Sequence, residues 1–197
     1  MGGAASAAPP TYGVAVNSLG PVLRVATVDD AAAIEALMKA SGAALFPHSY
    51  DERQTKSAVR YVAQVDPILL EDGTYFVLEA GSELVGCGGW SRRDKPYTGS
   101  GDGEGDARPL DPASEAARVR AMFVRADWTR RGLGRRILEE CESAARHEGF
   151  RELYLVATKP GLPLYLAYGF EPLEELEVTM PDGVALECVS MEKRIDS

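Results

Sequence analysis

One stretch constrains this chain more than any other: Ala121-Met-Phe-Val-Arg-Ala-Asp-Trp-Thr-Arg-Arg-Gly-Leu-Gly-Arg-Arg-Ile-Leu138. It reads as a buried strand ending at Val124, a short turn, and a glycine-bearing basic loop that opens a helix. Gly132 and Gly134 remove side chains where backbone N–H groups can close around an anion, and the new helix points its positive end there. Arg130, Arg131, Arg135 and Arg136 add fixed positive charge at the same place. The segment predicts a pyrophosphate cradle.

The rest of the composition keeps that basic patch local. The formal net charge is -9 over 197 residues, which argues against nucleic acid as a partner, because phosphate backbones require a basic field. No apolar run is long enough to span a bilayer and no secretory signal pattern opens the chain, so a cytoplasmic protein without a membrane partner is expected. Cys87, Cys141 and Cys188 are odd in number and widely spaced, and His48 and His147 are isolated. Neither a disulfide framework nor a metal site follows from such a set.

Residues 1–20 are rich in Ala, Gly, Pro and Ser and read as a disordered leader. A single domain is expected over 21–197. Leu23–Thr27 alternates as a first strand, and a helix follows over Ala31–Ala40, interrupted by Ser41-Gly42. A second helix is predicted at Asp51–Val65, ended by Asp66-Pro67. Thr74–Glu79 and Glu83–Trp90 form a hairpin, in which Gly86, Gly88 and Gly89 signal a close approach by another backbone or a ligand. Residues 91–114 have no period and are read as a functional or disordered loop. Then come a strand over Ala117–Val124, a helix over Leu133–Glu148 stopped by Gly149, and a strand over Arg151–Thr158. That order implies a parallel pair with a right-handed crossover. A short helix, Pro163–Tyr168, precedes two closing strands, Glu174–Met180 and Val184–Lys193. The fold class is mixed α/β (α+β), with six or seven mostly antiparallel strands around a parallel central pair, flanked by helices.

Two familiar phosphate motifs fail. A dinucleotide-binding fingerprint needs a third glycine where Ile137 stands, and no segment supplies Gly-x-x-x-x-Gly-Lys-Ser/Thr. Instead, Phe123-Val124, then Thr129-Arg-Arg-Gly-Leu-Gly134, then Tyr165-x-x-x-Gly169-Phe170 closely resembles the GNAT superfamily of acetyl-CoA-dependent N-acetyltransferases. The resemblance covers roughly residues 22–195. Its pyrophosphate signature begins with Arg or Gln, and here that position is Thr129.

The resemblance implies acetyl-CoA as cosubstrate, no metal, and transfer of acetyl to a primary amine by direct attack in a ternary complex. It implies cofactor binding by Met122, Phe123 and Val124, which would pair with pantetheine and polarise the thioester carbonyl. Arg130, Arg131, Gly132, Leu133, Gly134 and Arg135 would take the pyrophosphate. Tyr165 falls at the general-acid position, where a phenol with a pKa of about 10 keeps its proton at neutral pH. Glu79, Glu115 and His48 are candidate bases, each more simply a surface residue, and water can relay the proton instead. Arg118 and Arg120 are expected to pair with acidic neighbours, and Cys87 to be a small buried hydrophobe. The acceptor is a small-molecule or peptide amine. A homodimer is among the assemblies the resemblance implies. A CoA-binding regulatory module without transfer activity, and a transferase using another acyl group or a hydroxyl acceptor, remain open alternatives.

Overall fold

The computed structural model describes residues 20–95 and 108–195. The expected leader at 1–20 falls, apart from Gly20, outside the described residues, as do residues 96–107 of the 91–114 connection. Seven strands form one sheet: β1 (Val22–Val25), β2 (Tyr75–Ala80), β3 (Glu83–Ser91), β4 (Ala117–Val124), β5 (Glu152–Thr158), β6 (Glu171–Thr179) and β7 (Ala185–Arg194), in spatial order β1-β2-β3-β4-β5-β7-β6. Every neighbouring pair is antiparallel except β4 and β5. The parallel ladder joins only Ala117 to Leu153 and Arg118 to Tyr154. Beyond those two rungs the strands diverge, leaving a slot through the middle of the sheet.

Helices cover both faces: α1 (Ala31–Leu45), α2 (Glu52–Tyr61) and α3 (Pro67–Glu71) on one, α4 (Leu133–His147) and α5 (Leu162–Tyr168) on the other. Each face buries its own apolar layer. Leu133, Ile137, Leu138 and Cys141 of α4 pack with Leu78, Trp90 and Leu155, while Ile34, Leu37 and Met38 of α1 pack with Val77, Phe123 and Leu186. Among the described residues no helix is long and apolar enough to cross a membrane.

Local signals explain most element boundaries. Asp51 caps α2, its carboxylate accepting from the Gln54 amide at 2.7 Å while the Gln54 side chain bonds back to the Asp51 amide. Gly149 and Gly169 lie in the left-handed region at the ends of α4 and α5, with φ of 92° and 98°. Two expectations are corrected. Ser41-Gly42 does not interrupt α1, because a Cβ on Gly42 would stand 2.9 Å from the Phe46 ring and the Ser41 hydroxyl bonds to β4. Close packing of Gly42 on Phe46 and Val59 and the Ser41 bond to β4 outweigh the weak helix propensity of the pair. The second predicted helix, Asp51–Val65, is shorter: α2 ends at Tyr61, and Asp66-Pro67 starts a further short helix, α3, Asp66 accepting from the Ile68 amide. Proline at the first helical position is favoured because its missing N–H would be unpaired there.

Candidate active site

The slot is shaped by an extra residue in β4. Cys87 faces Phe123 and Gly89 faces Arg120, so between these pairs the single residue Gly88 on β3 is opposed by two, Ala121 and Met122, on β4. Ala121, with φ of 51°, takes up the excess as a bulge. Val119 and Met122 consequently pack in the same layer although three residues apart, which a regular strand forbids. The bulge is accommodated by glycine on the neighbouring strand. A Cβ on Gly88 would lie 2.2 Å from the Met122 sulfur, and one on Gly89 would lie 2.4 Å from the Thr74 carbonyl oxygen. The close approach signalled by these glycines is that of the chain's own strands.

Beyond β4 the chain makes a 3-10 turn at Ala126–Trp128 and enters a loop with two left-handed residues, Arg130 (φ 61°) and Gly132 (φ 78°). Left-handed residues in such a loop turn successive amides toward one side, as in anion-binding nests. The first-turn amides of α4, from Leu133, Gly134 and Arg135, have no carbonyl four residues back inside the helix and add to that concave donor surface. A Cβ on Gly132 would meet nothing within 4 Å, so the role of this glycine is conformational. Gly134 differs: a Cβ there would stand 2.8 Å from Leu164, so this glycine also lets α5 pack against α4.

A cleft of about 580 Å³ runs from this loop into the slot. It brings together Met122, Phe123, Val124, Arg130, Gly132, Leu133, Gly134, Arg135 and Tyr165. Arg131 is not brought in. Its guanidinium stacks on Trp128 at 4.6 Å and donates to the Asp127 carbonyl. Arg136 bonds the Pro21 carbonyl at 2.8 Å, away from the lining. Tyr165 is 8% exposed, its ring edge-on to Phe170. No hydrogen-bond partner of its hydroxyl is found among the described residues. Burial, with Cys141 nearby, pushes its phenol well above the ordinary value. The Ser41 hydroxyl, also in the lining, donates to the Val124 carbonyl at 2.8 Å.

Sequence reasoning missed several lining residues. Trp128 carried a signal, an aromatic immediately before the basic loop; Ser41, Phe46, Val62 and Thr158 did not, because only the fold brings them to the slot. The candidate bases lie elsewhere. Glu79 pairs with Arg24 at 2.9 Å, Glu115 pairs with Arg108, and His48 is exposed. Arg118 pairs with Asp94 at 3.0 Å and Arg120 with Asp66 at 2.9 Å, as expected of them. Cys87 is fully buried, and that burial pushes its thiol up to about 12.

A cleft between two diverging parallel strands, entered beside a glycine-bearing helix start, agrees with what the resemblance to acyltransferases implies. The chain belongs to the GNAT acetyltransferase family: the model of the acetyltransferase (GNAT) domain matches residues 71–172, just over half its length. None of the curated proteins matches the chain by sequence. Solved structures share its fold. A GCN5-related N-acetyltransferase from Rhodopseudomonas palustris, 19% identical, aligns over 88% of this chain and 95% of its own with a TM-score of 0.67. The PaiA N-acetyltransferase from Thermoplasma acidophilum, in complex with coenzyme A, is 15% identical over 89% of this chain and 99% of its own, with a TM-score of 0.61. YncA from Salmonella typhimurium, with its cofactor acetyl-CoA, is 16% identical over 90% and 95%, with a TM-score of 0.59.

Proposed function

We propose that this protein transfers acetyl from acetyl-CoA to a primary amine by direct attack in a ternary complex. The observation that carries the reading is the continuity of the cleft, which joins the donor-rich loop at residues 130–135 to the slot beside Tyr165. Two proteins of the same fold are described with coenzyme A or acetyl-CoA. The catalytic domain is proposed to span 21–197, since the sheet draws on β1 at one edge and on β6 and β7 at the other.

Bound acetyl-CoA would supply an acyl group activated as a thioester. The amides around Gly132, Leu133 and Gly134 suit its pyrophosphate, with Arg130 and Arg135 adding charge at the rim. Arg131 would act at one remove, by fixing Trp128 in the wall. The β4 backbone from Met122 to Val124 borders the slot and can pair with a peptide-like arm as a further strand would. An amide of Phe123 or Val124 would stabilise the negative charge that develops on the acyl oxygen when the amine attacks.

Tyr165 would present its O–H to the leaving sulfur. Its raised pKa keeps the proton on the phenol throughout the physiological range. The same shift makes it a weak acid, so its main contribution is a hydrogen bond to charge developing on sulfur. Cys87 is too buried to take the acyl group, which favours direct transfer over an acyl-enzyme. The test is thiol release from acetyl-CoA with the full chain and a mixed amine panel. Amine-dependent release supports the reading. Coenzyme A binding without release from any amine would make the protein a CoA-binding module instead.

A further inference from the structure

Beside Ala121 the cleft has a lateral extension of about 70 Å³. It shares Val62, Ala121, Val156 and Thr158 with the main cleft. It therefore adjoins the slot, mostly within the layer under α1 and α2. Its walls are largely aliphatic, completed by Val119, Val178, Met180 and Leu186. One end is closed by Arg120, 3% exposed, whose guanidinium bonds Asp66 and the Lys95 carbonyl, each at 2.9 Å. The β6–β7 hairpin that forms one wall is pinned to α2. Ser57 donates to Asp182 at 2.8 Å and the Gln54 side chain to the Ala185 carbonyl at 3.0 Å. The size of this extension is thus set by fixed elements.

We propose that the extension receives the carbon substituent of the acceptor, and that the acceptor is a primary amine borne on a small aliphatic group. This rests on the transfer reading above and narrows it. Size and lining give a preference: the extension has about half the ~150 Å³ that holds a benzene ring, which favours a branched aliphatic group over an aryl one. Charge gives the second limit. A second ammonium on the acceptor would be stripped of water against valine and leucine side chains beside a buried guanidinium, so polyamines are poor substrates. The chemistry is shared by free alkylamines and by the N-terminus of a peptide that begins with a small aliphatic residue.

The test measures kcat/KM by thiol release with acetyl-CoA for isobutylamine, a valine-initiated tripeptide, benzylamine and spermidine, with acetyl-CoA affinity determined in parallel. Isobutylamine or the tripeptide is expected to exceed benzylamine and spermidine by about tenfold or more, and the better of the two identifies the source. Leu186→Ala, which lengthens the extension, is expected to raise benzylamine relative to isobutylamine by about tenfold without changing acetyl-CoA affinity. Leu186 is fully buried, so Val62→Ala, at the C-terminal end of α2, is the second variant and should move the ranking in the same direction. A wild-type preference for spermidine or benzylamine, or an unchanged ranking in both variants, overturns the proposal while leaving amine acetylation standing. Absence of release with every amine overturns both.

Discussion

The Tyr75 hydroxyl donates to the carbonyl oxygen of Ala121 at 2.6 Å. Tyr75 lies on β2 and is almost fully buried, and Ala121 is the left-handed residue of the β4 bulge. The contact reaches across β3, past Gly88 and Gly89, to fasten the one residue that puts Met122, Phe123 and Val124 in their present phase. Tyr75→Phe would remove a hydrogen bond from a part-buried carbonyl, a loss of about 0.5–1.5 kcal/mol. The expected outcome is a lower melting temperature together with a fall in kcat larger than the change in acetyl-CoA affinity. Stability loss with unaltered kcat would show that the bulge keeps its shape without the hydroxyl.

Tyr165→Phe keeps the ring that packs on Phe170 and removes only the hydroxyl. If the O–H acts on the leaving sulfur, turnover should drop by about 100-fold or more, while acetyl-CoA affinity measured by calorimetry stays within about twofold. Equal turnover, with the chemical step shown to be rate-limiting, would remove Tyr165 from the reaction.

Gly132 and Gly134 are predicted to fail in different ways. Gly132→Ala meets open space but must hold φ of 78°, a strain of about 1–2 kcal/mol that should appear as weaker coenzyme A binding. Gly134→Val meets Leu164, so it should lower stability as well as affinity. Adding Leu164→Ala to Gly134→Val is expected to recover part of the stability and none of the affinity. Recovery of both would mean that the amide of residue 134 is not a ligand contact.

The buried pair Arg120–Asp66 should make stability depend on pH. Burial alone would raise the Asp66 carboxyl, but Lys95 and Arg120 outweigh it and hold the carboxyl below its usual value. A depressed carboxyl contributes stability above its unfolded pKa of about 3.9, and that contribution is lost as pH falls through the lower native value. Asp66→Asn removes the Asp66 carboxylate from a buried guanidinium and from Lys95 and should cost on the order of 3 kcal/mol at pH 7, a gap that closes in strong acid. Denaturant melts across pH measure it. A variant as stable as wild type at pH 7 would show that the carboxylate contributes nothing to holding Arg120.

What was legible in the chain alone was whatever rests on neighbours in sequence. The β4–loop–α4–β5 unit follows from alternation, glycine placement and a helical period within residues 117–158, and the structure places these elements within a residue or two of the expected bounds. Glycines at 88 and 89 announced a close approach without naming the partner, because Met122 and Thr74 come from other parts of the chain, whereas Gly86 has only ordinary contacts.

The amino-acid order by itself determined the mixed sheet, its parallel central pair and the basic glycine loop, and its Phe123-Val124, Thr129–Gly134 and Tyr165–Phe170 segments carried the resemblance to the family. Only the tertiary structure decided the continuity of α1 through Ser41-Gly42, the bulge at Ala121, and the departure of Arg131 to Trp128. It alone decided the pairing of Arg120 with Asp66, 54 positions away, and the aliphatic extension. The division has one physical cause. Local backbone preferences amount to about 1 kcal/mol per residue or less, enough to mark an element. A buried contact between distant segments is worth more than that and overrides them, and no local pattern records which segments will meet.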